Sequence, residues 1–275
     1  MAGARFGEAP FINIQNAGVN YRIALICTLE NHCMNTKLIV NDKNELMEVP
    51  EKQGAGHPAV LTVAARIISW VFHPVFVPVY VVFFLVFIHP YLFIGFPEKA
   101  KVLSVMLAAV VSFTFFPLVT VGLLKALKFI DSIYLRTQKD RVIPLIACMT
   151  WYFWIAYVWS NFGKTQASID MPHEAVQFAM AAFLSTVIGL MVNIKMKVSL
   201  HAISMGLVLA FFLSMAMSQD INSGNYLMVV FLVAGLVCTA RFIVSDHTPA
   251  EIYGGLLTGV VSMLLGIRLE SLLNN

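Results

Sequence analysis

Charged side chains are scarce in this chain. Asp, Glu, Lys and Arg make up 12% of its 275 residues, whereas hydrophobic residues make up 59%. Because a soluble domain carries roughly a quarter charged residues, this composition excludes an ordinary soluble globular domain and predicts a polytopic membrane protein. The net charge of +3 is small, and no lysine-rich tract indicates a nucleic acid as partner.

Cysteine is equally sparse. The four cysteines are Cys27 and Cys33 in a polar N-terminal region and Cys148 and Cys238 within apolar segments. Structural zinc needs clustered Cys or His ligands, and a disulfide framework needs paired cysteines at regular spacing. The sequence also lacks an aspartate-rich motif for a divalent cation, so we expect neither a metal nor another cofactor.

Long apolar runs fill most of the chain. A helix that crosses a bilayer needs roughly 20 mostly apolar residues, and a shorter piece at 59–72, followed by "HPVFVP", predicts an interfacial or broken helix. We expect an all-α, polytopic transmembrane helix bundle of about six to seven spans over residues 59–275, after a polar, partly disordered tail at 1–58. The seven candidate spans are 74–96, 102–124, 143–160, 175–194, 200–217, 226–244 and 250–267.

Polar side chains group in the loops on one side of the membrane. The loops after the second, fourth and sixth candidate spans share a side, here called side A, and the remaining loops lie on side B. Side A carries "LRTQKDRVIP" at 135–144, "KMKVSLHA" at 195–202 and "ARFIVSDHTPAE" at 240–251. Because even numbers of crossings separate these three clusters, we expect them to converge on one site at a membrane surface.

The residue types in these clusters suit phosphate chemistry. The guanidinium group of arginine binds phosphate oxygens through a planar fork of N–H donors. A neutral histidine can attack phosphorus or pass on a proton near neutral pH, and a carboxylate one helical turn away can hold it in one tautomer. Arginines, histidines and a carboxylate at one membrane face therefore predict phosphoryl chemistry on a lipid.

The order and spacing of the clusters resemble a known family. Residues 240–251 read A-R-x5-H-x3-E, and residues 198–201 read V-S-L-H. In the first cluster Arg141 precedes Pro144, and Tyr134 stands seven residues before Arg141. This arrangement resembles the type 2 phosphatidic acid phosphatase superfamily, the integral membrane lipid phosphate phosphatases, whose motifs are K-x6-R-P, P-S-G-H and S-R-x5-H-x3-D.

The resemblance implies a role for each matching residue. His247 would be the nucleophile that forms a phosphohistidine, and Glu251, in place of the family's aspartate, would orient it. His201 would protonate the leaving oxygen and later activate water. Arg141 and Arg241 would hold the phosphoryl oxygens.

Three further residues complete the site that the resemblance implies. Ser199 would contribute its hydroxyl or its backbone N–H, and Lys139 or Arg136 would replace the lysine of the first motif. The activity implied is metal-independent hydrolysis of a lipid phosphate or diphosphate, with the bilayer and a membrane lipid phosphate as partners.

Glu251 also has a purely structural explanation. Thr248 is a favourable N-cap residue, Pro249 suits the first helical position, and Glu251 would complete a capping box. This interpretation is compatible with the catalytic one, because a helix N-terminus is itself an anion site.

Several other residues are expected to be structural or incidental. Gly255 and Gly259 form a G-xxx-G pair that lets two helices approach closely. The remaining histidines show no grouping with partners in the sequence; they are His32, His57, His73, His89 and His173.

Other functions stay open at this point. The chain could bind or transport a lipid phosphate or another anion, transfer the phosphoryl group to an alcohol, or be a structural membrane protein in which the motifs are fortuitous. We expect a multi-pass protein of a bacterial inner (plasma) membrane. Lys and Arg favour cytoplasmic loops, but side A keeps no excess over side B once the residues assigned to chemistry are set aside, so the orientation of the site is left open.

Overall fold

The computed structural model describes most of the chain, which divides into the units Met1–Gly56 and His57–Asn275, close to the predicted boundary at residue 58. For residues before 58, and for 138–140 and 274, the description covers the backbone only. The described residues are 11–16, 19–24, 38–40, 46–48, 58–97, 105–130, 138–162, 170–218, 224–245 and 247–274.

The N-terminal unit contains a small antiparallel sheet with the strand order β1-β2-β3-β4. The first two strands pair from Phe11 opposite Ala24 to Asn16 opposite Val19. The sequence predicts no strands in this tail, although "INIQ" at 12–15 alternates apolar and polar residues, as a strand with one buried face does. The strands are β1 (Phe11–Asn16), β2 (Val19–Ala24), β3 (Leu38–Val40) and β4 (Leu46–Glu48).

The second unit is a helix bundle. In the part of it that the structure describes, all regular structure is helical, which confirms the predicted all-α fold for this unit. The helices are α1 (Ala59–Val71), α2 (Val77–Phe83), α3 (Val105–Ala126), α4 (Gln138–Ser160), α5 (His173–Lys195), α6 (Leu200–Ser218), α7 (Gly224–Val244) and α8 (Pro249–Asn274).

Six of the described helices, α3 to α8, are long and apolar enough to cross a membrane, as a multi-pass membrane protein requires. The first candidate span, 74–96, is wrong as a continuous helix. After α2 the chain continues as a π-helical turn, Phe84–Ile88, and leaves helical geometry at His89 (φ −122°, ψ 55°). Pro90 explains this break, because proline lacks an N–H and disfavours helical geometry in the residue before it.

Glycines bring α6 and α8 into very close contact. A Cβ atom added to Gly259 would lie 2.1 Å from the carbonyl oxygen of Ile203, and one added to Gly206 would lie 2.1 Å from that of Leu256. A Cβ on Gly255 would lie 2.8 Å from the carbonyl oxygen of Ser199. The predicted close approach through the G-xxx-G pair is confirmed, and it brings the first turns of α6 and α8 together on side A.

Helix α1 packs against α7 and buries Ala65 and Ser69. Its other face exposes large apolar side chains, including Val60 and Trp70, as expected for a helix that lies against lipid. The segment that joins α1 to α2, here called the α1–α2 corner (residues 72–76), thereby reaches the side A ends of α6 and α7.

Candidate functional site

Hydrogen bonds join the three side A clusters. Arg141, in the first cluster, donates from Nη1 to the carbonyl oxygen of Val198 at 2.7 Å. The backbone N–H of Ser199, next in the chain, donates to the carbonyl oxygen of Glu251 in the first turn of α8 at 3.2 Å. The predicted convergence on one site is therefore confirmed.

His247 and Glu251 form a hydrogen-bonded pair. Nδ1 of His247 lies 2.9 Å from Oε2 of Glu251, four residues further on, and the imidazole side chain is only 3% exposed. A carboxylate accepts hydrogen bonds, so the proton of a neutral His247 sits on Nδ1. The lone pair of Nε2 is then available as a nucleophile.

The same carboxylate oxygen caps α8. Oε2 of Glu251 accepts the backbone N–H of Thr248 at 3.0 Å, while the N–H of Glu251 donates to Oγ1 of Thr248 at 3.3 Å. These reciprocal bonds are the predicted capping box. One glutamate oxygen thus serves both the helix start and the imidazole of His247, so the structural and the catalytic interpretations describe the same geometry.

Burial and charge keep His247 neutral. Burial lowers the pKa of His247 below its usual value of 6.5. The hydrogen bond that His247 donates to Glu251 opposes this shift, and the positive charges of Arg141 and Arg241 reinforce it. Since the net direction is downward, the imidazole is uncharged near neutral pH, as a nucleophile must be.

His201 lies beside this pair at the start of α6. Its Nε2 is 3.0 Å from the carbonyl oxygen of Ser69 in α1. Because a carbonyl only accepts, Nε2 of His201 carries a proton and donates it to Ser69. Any proton that His201 exchanges with a substrate therefore passes through Nδ1.

His73, in the α1–α2 corner, belongs to the same cluster. Its ring lies edge-to-face against that of His201, with centroids 5.4 Å apart. Burial lowers the pKa of His73, and the charge of Arg241 lowers it further. The expectation that His73 is incidental is wrong, because it is a third imidazole at the site.

The two arginines come from helix ends on side A. Arg141 lies in α4 and is 6% exposed, whereas Arg241 lies in the last turn of α7. The charge of Arg241 acts on His73, His201 and His247. The helix C-terminus stabilises a cation there, so structure and function both favour an arginine at position 241.

Ser199 differs in part from its expected role. Its backbone N–H is used by Glu251, which removes it from the candidate phosphate donors. Its hydroxyl is buried and has no hydrogen-bond partner among the described residues. Arg136 lies outside the described residues, as does the side chain of Lys139; Lys197, from the second cluster, is close enough for its charge to act on Glu251.

A second histidine–glutamate pair lies at the opposite end of the bundle. Nδ1 of His173 is 2.5 Å from Oε1 of Glu270, and Gln177 donates to the other carboxylate oxygen at 3.2 Å. His173 therefore has a partner that the sequence did not indicate, and the pair joins α5 to α8. Across the described residues no three His, Cys, Asp or Glu side chains are placed to hold one metal ion.

Comparison of the chain with models of protein families, with curated proteins and with solved structures finds no match. The resemblance to the lipid phosphate phosphatases consequently stays a prediction, based on the motif residues and the way the fold gathers them.

Proposed function

We propose that the protein is an integral membrane phosphatase that hydrolyses a lipid phosphate or diphosphate through a phosphohistidine. The observation that carries this proposal is the arrangement around His247. Its Nδ1 is held by Glu251, its pKa is lowered, and the charges of Arg141 and Arg241 act on it. A site that only bound anions would need the arginines but not a neutral, oriented imidazole beside them.

The reaction would proceed in two steps. Nε2 of His247 attacks phosphorus, the bond from phosphorus to the leaving oxygen breaks, and that oxygen takes a proton from a neighbouring imidazole. Water then gives a proton back to that imidazole and attacks the phosphorus of the phosphohistidine, the P–N bond breaks with its electron pair returning to Nε2 of His247, and inorganic phosphate leaves. Throughout, Arg141 and Arg241 stabilise the charge on the phosphoryl oxygens.

Two imidazoles are placed to donate the proton to the leaving oxygen. His201, in its imidazolium form, would donate from Nδ1, because its Nε2–H stays bonded to Ser69. His73, also as the imidazolium, would share this role and return to the neutral form in which Nδ1 accepts the backbone N–H of Val75, 3.4 Å away.

The test of the proposal is phosphate release by the purified protein from phosphatidate, phosphatidylglycerol phosphate and an isoprenyl diphosphate, with a chelator present. We expect metal-independent release from at least one of them. Binding of these lipids without release would instead support a lipid-phosphate binder or transporter. Appearance of the phosphate on added glycerol would support a phosphotransferase.

Replacing Glu251 with glutamine should change the pH dependence of the reaction. The carboxylate raises the pKa of His247, so its removal lowers that pKa further. Because neutral His247 is the active form, kcat/KM should stay high to a lower pH in Glu251→Gln than in the wild type. The plateau should fall by about ten- to a hundredfold, since the imidazole is less firmly oriented.

The matched control is Thr248→Ala, which removes the other half of the capping box. This variant should lose about 1 kcal/mol of stability but keep the wild-type pH profile, because Glu251 remains. An acid limb that shifts equally in both variants would show that Glu251 acts only as a cap.

A further inference from the structure

A cavity of about 160 Å³ lies within the membrane domain next to the site. Part of its wall is a stripe on α6 formed by Met205, Val208 and Phe212. These residues follow His201 at intervals of four, seven and eleven, which places all of them on the face of α6 that carries His201. Phe212, at the end of the stripe toward side B, lies about 16 Å from His201 along the helix axis.

Helix α7 contributes a second stripe of apolar side chains to the cavity wall. Val230 and Val233 line the cavity, and they precede Arg241 by eleven and eight residues, on the same face of the helix. His201 and Arg241 thus stand at the side A ends of two apolar stripes that face one cavity.

The α1–α2 corner and the start of α2 line a further side of the cavity. Phe72, next to His73, lines the cavity together with Val77, Tyr80 and Val81. The hydroxyl of Tyr80 donates to the carbonyl oxygen of Val71 at 2.9 Å, so its polar atom is already satisfied. The wall is therefore apolar, and such cavities attract apolar groups and exclude water.

We propose that this cavity binds the hydrocarbon chain of the substrate and that it accepts one chain. The proposal rests on the proposed function, because the arginines and histidines at its side A end would hold the phosphate. An engineered apolar cavity of roughly 150 Å³ is filled by a single benzene. A cavity of about 160 Å³ that follows α6 for about two turns has room for one narrow chain segment and not for two side by side. A second chain of a diacyl lipid would therefore gain nothing from the cavity.

The test measures binding with phosphonates, which the proposed chemistry cannot hydrolyse. Calorimetry on the protein in amphipol would compare methylphosphonate, dodecylphosphonate and the phosphonate analogue of didodecanoyl phosphatidate. Dodecylphosphonate should bind about tenfold or more tightly than methylphosphonate, because its chain leaves water for the cavity. The two-chain analogue should bind no more tightly than the single-chain compound; a clear preference for two chains would overturn the proposal.

Two variants of α7 form a matched pair. Val233→Phe fills the cavity, whereas Val229→Phe makes the same change at a position that is 60% exposed on the outer face of the helix. Val233→Phe should abolish the tenfold advantage of dodecylphosphonate and leave methylphosphonate binding intact, and Val229→Phe should keep both. Equal behaviour of the two variants would also overturn the proposal.

A third variant distinguishes a change in the cavity from damage to the fold. Phe212 lies at the far end of the α6 stripe, so Phe212→Ala should lengthen the cavity and make hexadecylphosphonate bind more tightly relative to dodecylphosphonate. A damaged fold cannot produce that gain, and its absence counts against the cavity.

Phosphate release from dodecyl phosphate, measured in parallel, separates the two proposals. If Val233→Phe and Val229→Phe release phosphate equally, the phosphatase proposal holds and the cavity proposal fails. If the hydrocarbon chain strengthens binding but no phosphate is released, the cavity proposal holds and the phosphatase proposal fails.

Discussion

The variant His247→Gln is expected to lose phosphate release by at least about a thousandfold, as enzymes do when a covalent nucleophile is removed. Glutamine keeps an N–H donor that can reach Glu251, so the capping box and the packing around it should survive. It has no nitrogen lone pair to attack phosphorus. The loss should therefore appear in kcat with little change in thermal stability.

The control makes the same substitution in the other histidine–glutamate pair. His173→Gln, at the opposite end of the bundle, should retain wild-type release, because His173 lies on α5 far from the three side A clusters. Brief exposure to substrate carrying radioactive phosphate, followed by an alkaline quench, should label the wild type and His173→Gln. If His247→Gln is labelled to the same extent, another residue is the nucleophile.

The variant Gly259→Ala is expected to have the largest effect on stability. The added methyl group would lie 2.1 Å from the carbonyl oxygen of Ile203 and 2.5 Å from the backbone nitrogen of Leu207. Both atoms belong to the backbone of α6, so neither can move aside as a flexible side chain would. Overpacking of this kind costs about 1–3 kcal/mol or more, and the unfolding midpoint in detergent should fall by about 5 °C or more.

The matched control is Gly235→Ala in the middle of α7, where an added Cβ meets nothing within 4 Å. Alanine is the better helix former by about 1 kcal/mol, so this variant should be at least as stable as the wild type. Gly259→Ala should also lose activity, because separation of α6 from α8 breaks the bond from Ser199 to Glu251 and moves His201 away from His247. Equal midpoints for the two variants would mean that the helices are not packed as described.

The convergence of the site could be predicted because it depends only on counting crossings. Arg141, His201 and His247 lie in loops or helix ends separated by even numbers of spans, and no knowledge of packing is needed to place them on one side. The same counting applies to His73, which directly precedes the first candidate span and so also falls on side A. The number of crossings therefore places His73 with the other three residues, although no polar residue stands beside it in the sequence.

Contacts that depend on distances between helices could not be predicted. Nothing in the sequence indicates that the N–H of Ser199 would be taken by Glu251, because that bond exists only where glycines let α6 and α8 touch. The break after α2 also does not follow from composition. Residues 74–96 are long and apolar enough to predict a span, whereas the break is a local effect of Pro90 on His89.

The carboxylate of Glu251 bonds both Thr248 and His247. The orientation of the nucleophile therefore depends on whether the first turn of α8 is intact. When the first turn of α8 frays, Glu251 releases the imidazole and the backbone together, so the protein has no state with a loose helix start and a correctly oriented His247.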